Sequence, residues 1–419
     1  MSAKVQIRNR LISDIRDAYS AVAVEPAIDE IALLDGFARS TWSGLGEPGD
    51  SSVGLLVRSL GPWAALELVI EGAAANHLAR AVADLGDEIT HEGNDELIAR
   101  LEEALERWRP RLVQSEALAH LIRAKRVDAR LVTPVDPAWP PGLHDLAEHA
   151  PVALWLRGDL GCLGAAARSI SIVGARASTG YGEHVTMESA AGLVERGYGT
   201  VSGGAYGIDG MAHRTTLATE GTTIAVLAGG IDRLYPSGHD ALLRRIIETG
   251  ALITELPCGF APTKWRFLQR NRLIAAISQA TVVVEAGWRS GSLNTAHHAL
   301  ELDRPVGAVP GPVTSASSAG CHRLLRETPA VCVTTAEEMA QLVHPQVGVG
   351  VESHVDQAQS IHPFAIRVLD ALSSKAYRTT EKLAASAGLS LAETTAVLGL
   401  LDMNRLAHED SGGWRKSSS

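Results

Sequence analysis

Four stretches of this chain gather residues that can do chemistry. The densest is "KWRFLQRNRLI" at residues 264–274, where Lys264, Arg266, Arg270 and Arg272 stand together with no carboxylate among them. Arginine grips a phosphate bidentately and lysine acts as a point charge, so the stretch suits an anion. "VGARASTGYG" (Val173–Gly182) is a glycine-rich turn carrying Arg176, and backbone N–H groups from Gly174 onward can hold a phosphate at a helix start. In "SGGAYGID" (Ser202–Asp209), Ser202, Gly203 and Gly204 let the backbone approach a ligand or another chain closely. "EAGWRSGSLNTA" (Glu285–Ala296) places Ser290, Gly291 and Ser292 where a strand gives way to a helix, a further anion seat.

What chemistry these serve depends on what accompanies them. A dinucleotide fingerprint wants an acidic residue at the end of the next strand, and here that strand ends in "VSGG" with Arg176 in the loop itself. Asp209 opens a helix, where capping is the usual employment of aspartate. Ser290 and Ser292 lie near His297 and His298 without nucleophile-elbow spacing, and a serine there reads as a cap. A nucleotide hydrolase on the same glycine-rich loops is the alternative reading. Its acid/base candidates are Glu255 and Glu285, each following an apolar run; a glutamate there can instead hydrogen-bond loop N–H groups or pair with Arg270 or Arg272, and the pairing is preferred. Trp265 and Phe267 among the cations offer faces on which a base can stack, as a groove for single-stranded nucleic acid requires. One of the two can equally belong to the core. No catalytic residue, metal ligand or cofactor is therefore assigned.

The elements that must position these loops follow from apolar periodicity. Residues 1–130 read as helical, with "IDEIALLDGFARS", "LGPWAALELVIEG", "NDELIARLEEALERWRPRL" and "SEALAHLIRAKR". A Pro-rich segment, "VTPVDPAWPPGLHDLAEHAPVALWLRGDL", reads as a connector packed on the next domain. Over 131–345, apolar runs alternate with helices: "SISIVGA", "GTVSGG", "TTIAVLAGG", "ALITELP", "TVVVEAG", "PVGAVPG" and "AVCV". That alternation predicts an α/β fold, a parallel sheet covered on both faces, with ligands at the carboxyl ends of its strands. The cations from Phe267 to Leu273 are placed in a strand-to-helix loop on the same edge as Arg176. Residues 346–360 read as a linker. Residues 361–415 give three short helices and a hairpin about Gly412–Gly413, the order of a winged helix. Its third helix is apolar and acidic, with Arg405 its only strong cation, which suits protein contact or packing better than DNA reading.

The composition frames this. Of 419 residues, 38 are Lys or Arg and 48 Asp or Glu, a formal net charge of −10 that disfavours indiscriminate coating of nucleic acid but leaves room for a local basic site. The four cysteines are widely spaced, suggesting neither disulfides nor zinc. No apolar run is long enough for a bilayer and the amino end lacks a signal peptide, so a cytoplasmic protein with no membrane contact is expected.

Taken in order, "SIVGARASTGYG", "VSGGAYGIDGMAH", "VLAGGIDRLYPSGHDAL", "ITELPCG", "FLQRNRLIAAIS", "VVVEAGWRSGSLNTAHHALELDRPVGAVPG" and "SSAGCHRLL", across about residues 130–335, resemble the DprA/Smf family of bacterial DNA-processing proteins. The resemblance implies an extended Rossmann-like fold that binds and protects single-stranded DNA, helps load the RecA recombinase in recombination and natural transformation, and forms a homodimer. It also implies an amino-terminal helical domain of sterile-alpha-motif type and a carboxy-terminal winged helix. Carried residue by residue, the family's DNA pocket falls on Arg176, Lys264 and Phe267, lined by Arg270, Asn271 and Arg272 and by Ser290, Gly291 and Ser292. Two departures stand out: Leu268 where the family commonly has proline, and "RETPA" where it commonly has Gly-Ala.

Overall fold

The seven apolar runs expected to be strands are strands, and two more join them. The structure is a computed structural model that describes residues 3–26, 29–84, 93–112, 114–343, 363–374, 376–403, 405–410 and 413–417. The chain divides into two compact units, Met1–Pro345 and Gln346–Ser419. In the first, the strands are β1 (Arg130–Val132), β2 (Leu154–Gly158), β3 (Ser169–Val173), β4 (Gly199–Ser202), β5 (Thr223–Val226), β6 (Ala251–Thr254), β7 (Ala280–Val283), β8 (Val306–Ala308) and β9 (Val331–Cys332). They form one sheet in the order β1-β2-β6-β5-β4-β3-β7-β8-β9. From β6 to β9 every neighbour is parallel. β1 and β2 continue the sheet antiparallel beyond β6. This is an α/β, extended Rossmann-like core.

The antiparallel extension corrects the reading of residues 132–160 as a connector. Leu154 and Leu156 point into one core and Trp155 into the other, the alternation of a strand buried on both faces. The prolines that disguise it lie upstream, in the turns before β2.

Among the described residues, seven α-helices precede the sheet: α1 (Ala3–Ser20), α2 (Glu30–Leu45), α3 (Ser51–Leu60), α4 (Pro62–Ile70), α5 (Ala75–Asp84), α6 (Asn94–Trp108) and α7 (Gln114–Arg126). Then come α8 (Leu160–Gly164), α9 (Gly180–Glu195), α10 (Ile208–Ala218), α11 (Asp240–Thr249), α12 (Lys264–Ile277), α13 (Ser292–Glu301), α14 (Ala319–Glu327) and α15 (Ala336–Gln341). One sheet face is continuous: Leu154, Val173, Val226, Ile253 and Val283 pack under Leu273, Ile274, Leu293 and Ala296 of α12 and α13. The other face is shared. Ile170, Ile172 and Val282 meet α9, α10 and α15, whereas Trp155, Leu227 and Leu252 meet Ile15, Leu33, Phe37 and Leu121 of the amino-terminal helices. The helical segment thus covers part of the sheet directly, and also holds a core of its own around Trp42 and Trp108.

The second unit contains α16 (Pro363–Ala371), α17 (Thr380–Ala387) and α18 (Leu391–Met403), followed by the antiparallel pair β10 (Ala407–Asp410) and β11 (Gly413–Lys416). The linker expected at 346–360 lies outside the described residues. No single helix among the described residues is long and apolar enough to cross a membrane.

Candidate nucleic-acid interface

β3 is the strand from which the order runs both ways: its successor β4 lies on one side and β7 on the other. The loops leaving β3 and β7 therefore diverge and open a crevice, the place where such sheets hold ligands. The cleft there has a volume of about 500 Å³, bounded by Gly174–Ala177, by Phe267, Leu268, Arg270 and Asn271 of α12, and by Ser290–Ser292 at the start of α13.

The cation-rich stretch is helix throughout, not the loop that the sequence suggested. Thr263 caps α12, its Oγ1 accepting the Arg266 N–H at 3.3 Å, so helix begins at Lys264. With 3.6 residues per turn the four cations cannot share a face. Lys264, Phe267, Leu268 and Asn271 form one stripe at helical spacing. Lys264 is exposed and has no ion pair among the described residues. Phe267 is half-buried; the Arg176 guanidinium lies 5.1 Å from its ring centroid, that of Arg270 5.8 Å, and the Tyr235 ring 5.7 Å. Arg176 is exposed and likewise has no carboxylate partner among the described residues.

The remaining cations are occupied. Arg270 is 5% exposed, and its Nη1 donates to the Gly203 carbonyl at 2.7 Å and to the Val226 carbonyl, tying together the ends of β4 and β5. Its Nε finds no partner among the described residues. Burial lowers its pKa to about 10, Asp209 opposing and Arg176 reinforcing the shift. Arg272 leaves the cleft altogether. Two positions past Arg270 it projects to the opposite side of α12, where it forms a bidentate pair with Glu255 at 2.8 and 2.6 Å. Its assignment to the pocket lining is corrected accordingly. Arg266 is bidentate to Glu47 at 3.0 and 2.9 Å and stacks over Phe260. Glu47 also receives Arg111 at 2.9 Å; burial pushes its pKa up, but the two arginines outweigh that and hold it below the ordinary carboxylate range.

The glycine-rich loops divide similarly. Gly174 lines the cleft; Ser202, Gly203 and Gly204 are buried beneath it. Ser202 Oγ donates to the Ile172 carbonyl at 2.6 Å, and a Cβ on Gly203 would stand 2.3 Å from Arg270 Nη1, so glycine there makes room for the arginine. Asp209 is no helix cap: Gly207 holds that position. Its buried carboxylate collects the N–H groups of Gly203, Ala205 and Gly174 and so joins the two loops. Burial raises its pKa, against the pull of Arg270 and those N–H groups. Glu285 pairs with neither arginine. It accepts the N–H and hydroxyl of Thr179 at 2.9 and 2.6 Å, anchoring the Arg176 loop to β7.

At α13, Ser290 and Ser292 hydroxyls bond each other at 2.8 Å, while Asn271 Nδ2 donates to the Gly291 carbonyl at 3.3 Å and Asn294 at 3.1 Å. His298 pairs with Glu301 at 3.0 Å. Neither serine is thus bonded to a histidine, and both candidate acid/base glutamates are engaged in structural contacts. No cluster of metal-ligating side chains occurs among the described residues.

Sequence reasoning missed the linking role of Asp209 and the reach of Glu47 from the helical segment. "GID" beside the loop carried a signal for the first; nothing local to Glu47 marks the second.

Comparison with known proteins agrees with this layout. The family model for DNA recombination-mediator protein A matches residues 130–344. The DNA processing protein DprA of Mycobacterium tuberculosis is 42% identical over 398 residues, covering 91% of this chain and 95% of that protein. The chain belongs to the DprA/Smf family. Escherichia coli Smf is 39% identical over 204 residues, 48% of this chain and 54% of that protein. The crystal structure of DprA from Streptococcus pneumoniae superposes with a TM-score of 0.55 at 28% identity, covering 73% of this chain and 95% of that one.

Proposed function

We propose that this protein binds single-stranded DNA in the β3/β7 cleft and hands it to a RecA-type recombinase, as a cytoplasmic homodimer and without chemistry of its own. One observation carries the reading: in a chain of net charge −10, Arg176 lies over the Phe267 ring at the cleft and Lys264 stands one helical turn before that ring, neither with a carboxylate partner among the described residues. Free cations take phosphates, and the ring takes a base, which is what a sequence-tolerant single-strand groove needs. Arg176 leaves the face of Phe267 for a phosphate when a base arrives there. Ser290, Gly291 and Ser292 form the opposite wall, which Asn271 ties to α12 through the Gly291 carbonyl, and Arg270 and Asp209 hold the loops beneath the cleft in place. The description of the family as a recombination mediator supports the transfer step, and the residues that would make a hydrolase are engaged elsewhere. The carboxy-terminal unit serves in this scheme as a winged helix for protein contact.

The test is fluorescence anisotropy with labelled oligo-dT and a duplex competitor. Wild type should prefer single strands and weaken steeply with salt, by about 0.7 log units of affinity per log unit of salt for each phosphate neutralised. Arg176→Ala/Lys264→Ala should lose most of this binding and flatten the salt slope. Equal binding of duplex and single strand, or an undisturbed double variant, would sink the proposal.

A further inference from the structure

The cleft has a second rim. The β7 loop that supplies Gly287 and Ser290 to its wall carries between them Trp288 and Arg289. Trp288 is 52% exposed, and the guanidinium of Arg323 from α14 lies 5.1 Å from its ring centroid. This repeats the arrangement on the α12 side, where Arg176 stands at the same 5.1 Å from Phe267. Neither Arg289 nor Arg323 has an ion pair with a carboxylate among the described residues, in contrast to their neighbour Arg326, which pairs with Glu327 at 2.8 Å. An indole packed into the core needs no cation over its face, whereas an exposed indole with a guanidinium beside it can stack on a base while the cation meets a phosphate. Here an open aromatic face and free cations occur together, beside the amino terminus of α13.

We infer that Trp288 is a second base-stacking platform, with Arg323 and Arg289 receiving the adjoining phosphates, so that a single strand crosses the cleft from Phe267 to Trp288. The inference rests on the single-strand reading of the cleft and extends it: the strand has a defined exit, and the site is longer than the Phe267 pocket alone. Stacking is indifferent to base identity, so the ligand class is unstructured DNA, and affinity grows with length until both rims are spanned.

The experiment compares oligo-dT of about 4 and about 16 nucleotides, the range of lengths such a groove covers, on the full chain. Trp288→Ala should weaken the long oligonucleotide about fivefold or more, the loss expected for one stacked base, and leave the short one nearly unchanged. Trp288→Phe should restore most of the loss, and Arg323→Gln should lower the salt slope on the long oligonucleotide only. An iodouracil placed near one end of the long strand should crosslink to residue 288. Equal affinities for wild type and Trp288→Ala at both lengths overturn the platform, while loss of binding in Arg176→Ala/Lys264→Ala in the same assay keeps the central cleft. Failure of wild type to bind either oligonucleotide overturns both. A change of oligomeric mass in Trp288→Ala, with affinity per subunit kept, assigns the indole to a subunit contact and overturns the platform as well.

Discussion

At the scale of single residues, the four cations of "KWRFLQRNRLI" divide into one free charge and three that hold the protein together. The two kinds respond differently to substitution. Glu255→Gln leaves Arg272 charged and unpaired where its side chain is 4% exposed, a loss of about 3–5 kcal/mol. Urea unfolding should show that loss, whereas the folded fraction keeps its affinity for oligo-dT. Arg176→Ala does the reverse: its stability should stay within about 0.5 kcal/mol of wild type, as for an exposed site, while affinity falls. If Glu255→Gln were as stable as wild type, the pair would have no structural weight. Gly203→Ala brings a methyl against the Arg270 guanidinium and should cost both stability and binding, since it disturbs the arginine that ties β4 to β5.

At the scale of elements, α12 is where structure departs most instructively from sequence. The strands were legible because continuous β-branched runs between helices have few other uses, and so was the expectation of ligands at their carboxyl ends; the order that opens the crevice beside β3 came from the structure. The identities of the free and the engaged cations were not legible, because that depends on the exact start of a helix. One cap, Thr263, converts an expected loop into two further turns and puts Arg272 on the side of α12 opposite Arg270. The partners Glu47 and Glu255 come from distant parts of the chain, where no local pattern announces them. Thr263→Ala should cost about 1 kcal/mol and fray the first turn, which amide exchange at residues 266–268 will read directly. Glu47→Gln should have the same signature and a modest loss of DNA affinity, acting through the placement of Lys264 and Phe267. Unchanged exchange in both variants would mean that packing alone fixes the turn.

At the scale of the whole molecule, two of the buried histidines contribute to the response to acid. Burial lowers the pKa of His120 to about 4 and that of His213 to about 3. In the unfolded chain an imidazole titrates near 6.5, so below that pH the unfolded state binds protons that the folded state refuses. Their stabilising effect is complete above about pH 6.5 and is lost as pH falls towards the folded values. The steepest loss is about 1.4 kcal/mol per pH unit for each imidazole, and urea midpoints from about pH 7 to about pH 5 should follow it. His120→Leu should remove part of the slope; a flat wild-type profile would contradict the assignment. A different consequence follows from the sheet face that the first helices share. Similarity to the family model begins at residue 130, which tempts one to express the chain from there. Such a fragment would bare Trp155, Leu227 and Leu252, which in the intact protein are covered by Ile15, Phe37 and Leu121. It should come out of cells insoluble, or clasped to its own copies, because the edge of a family model is not an edge that water recognises.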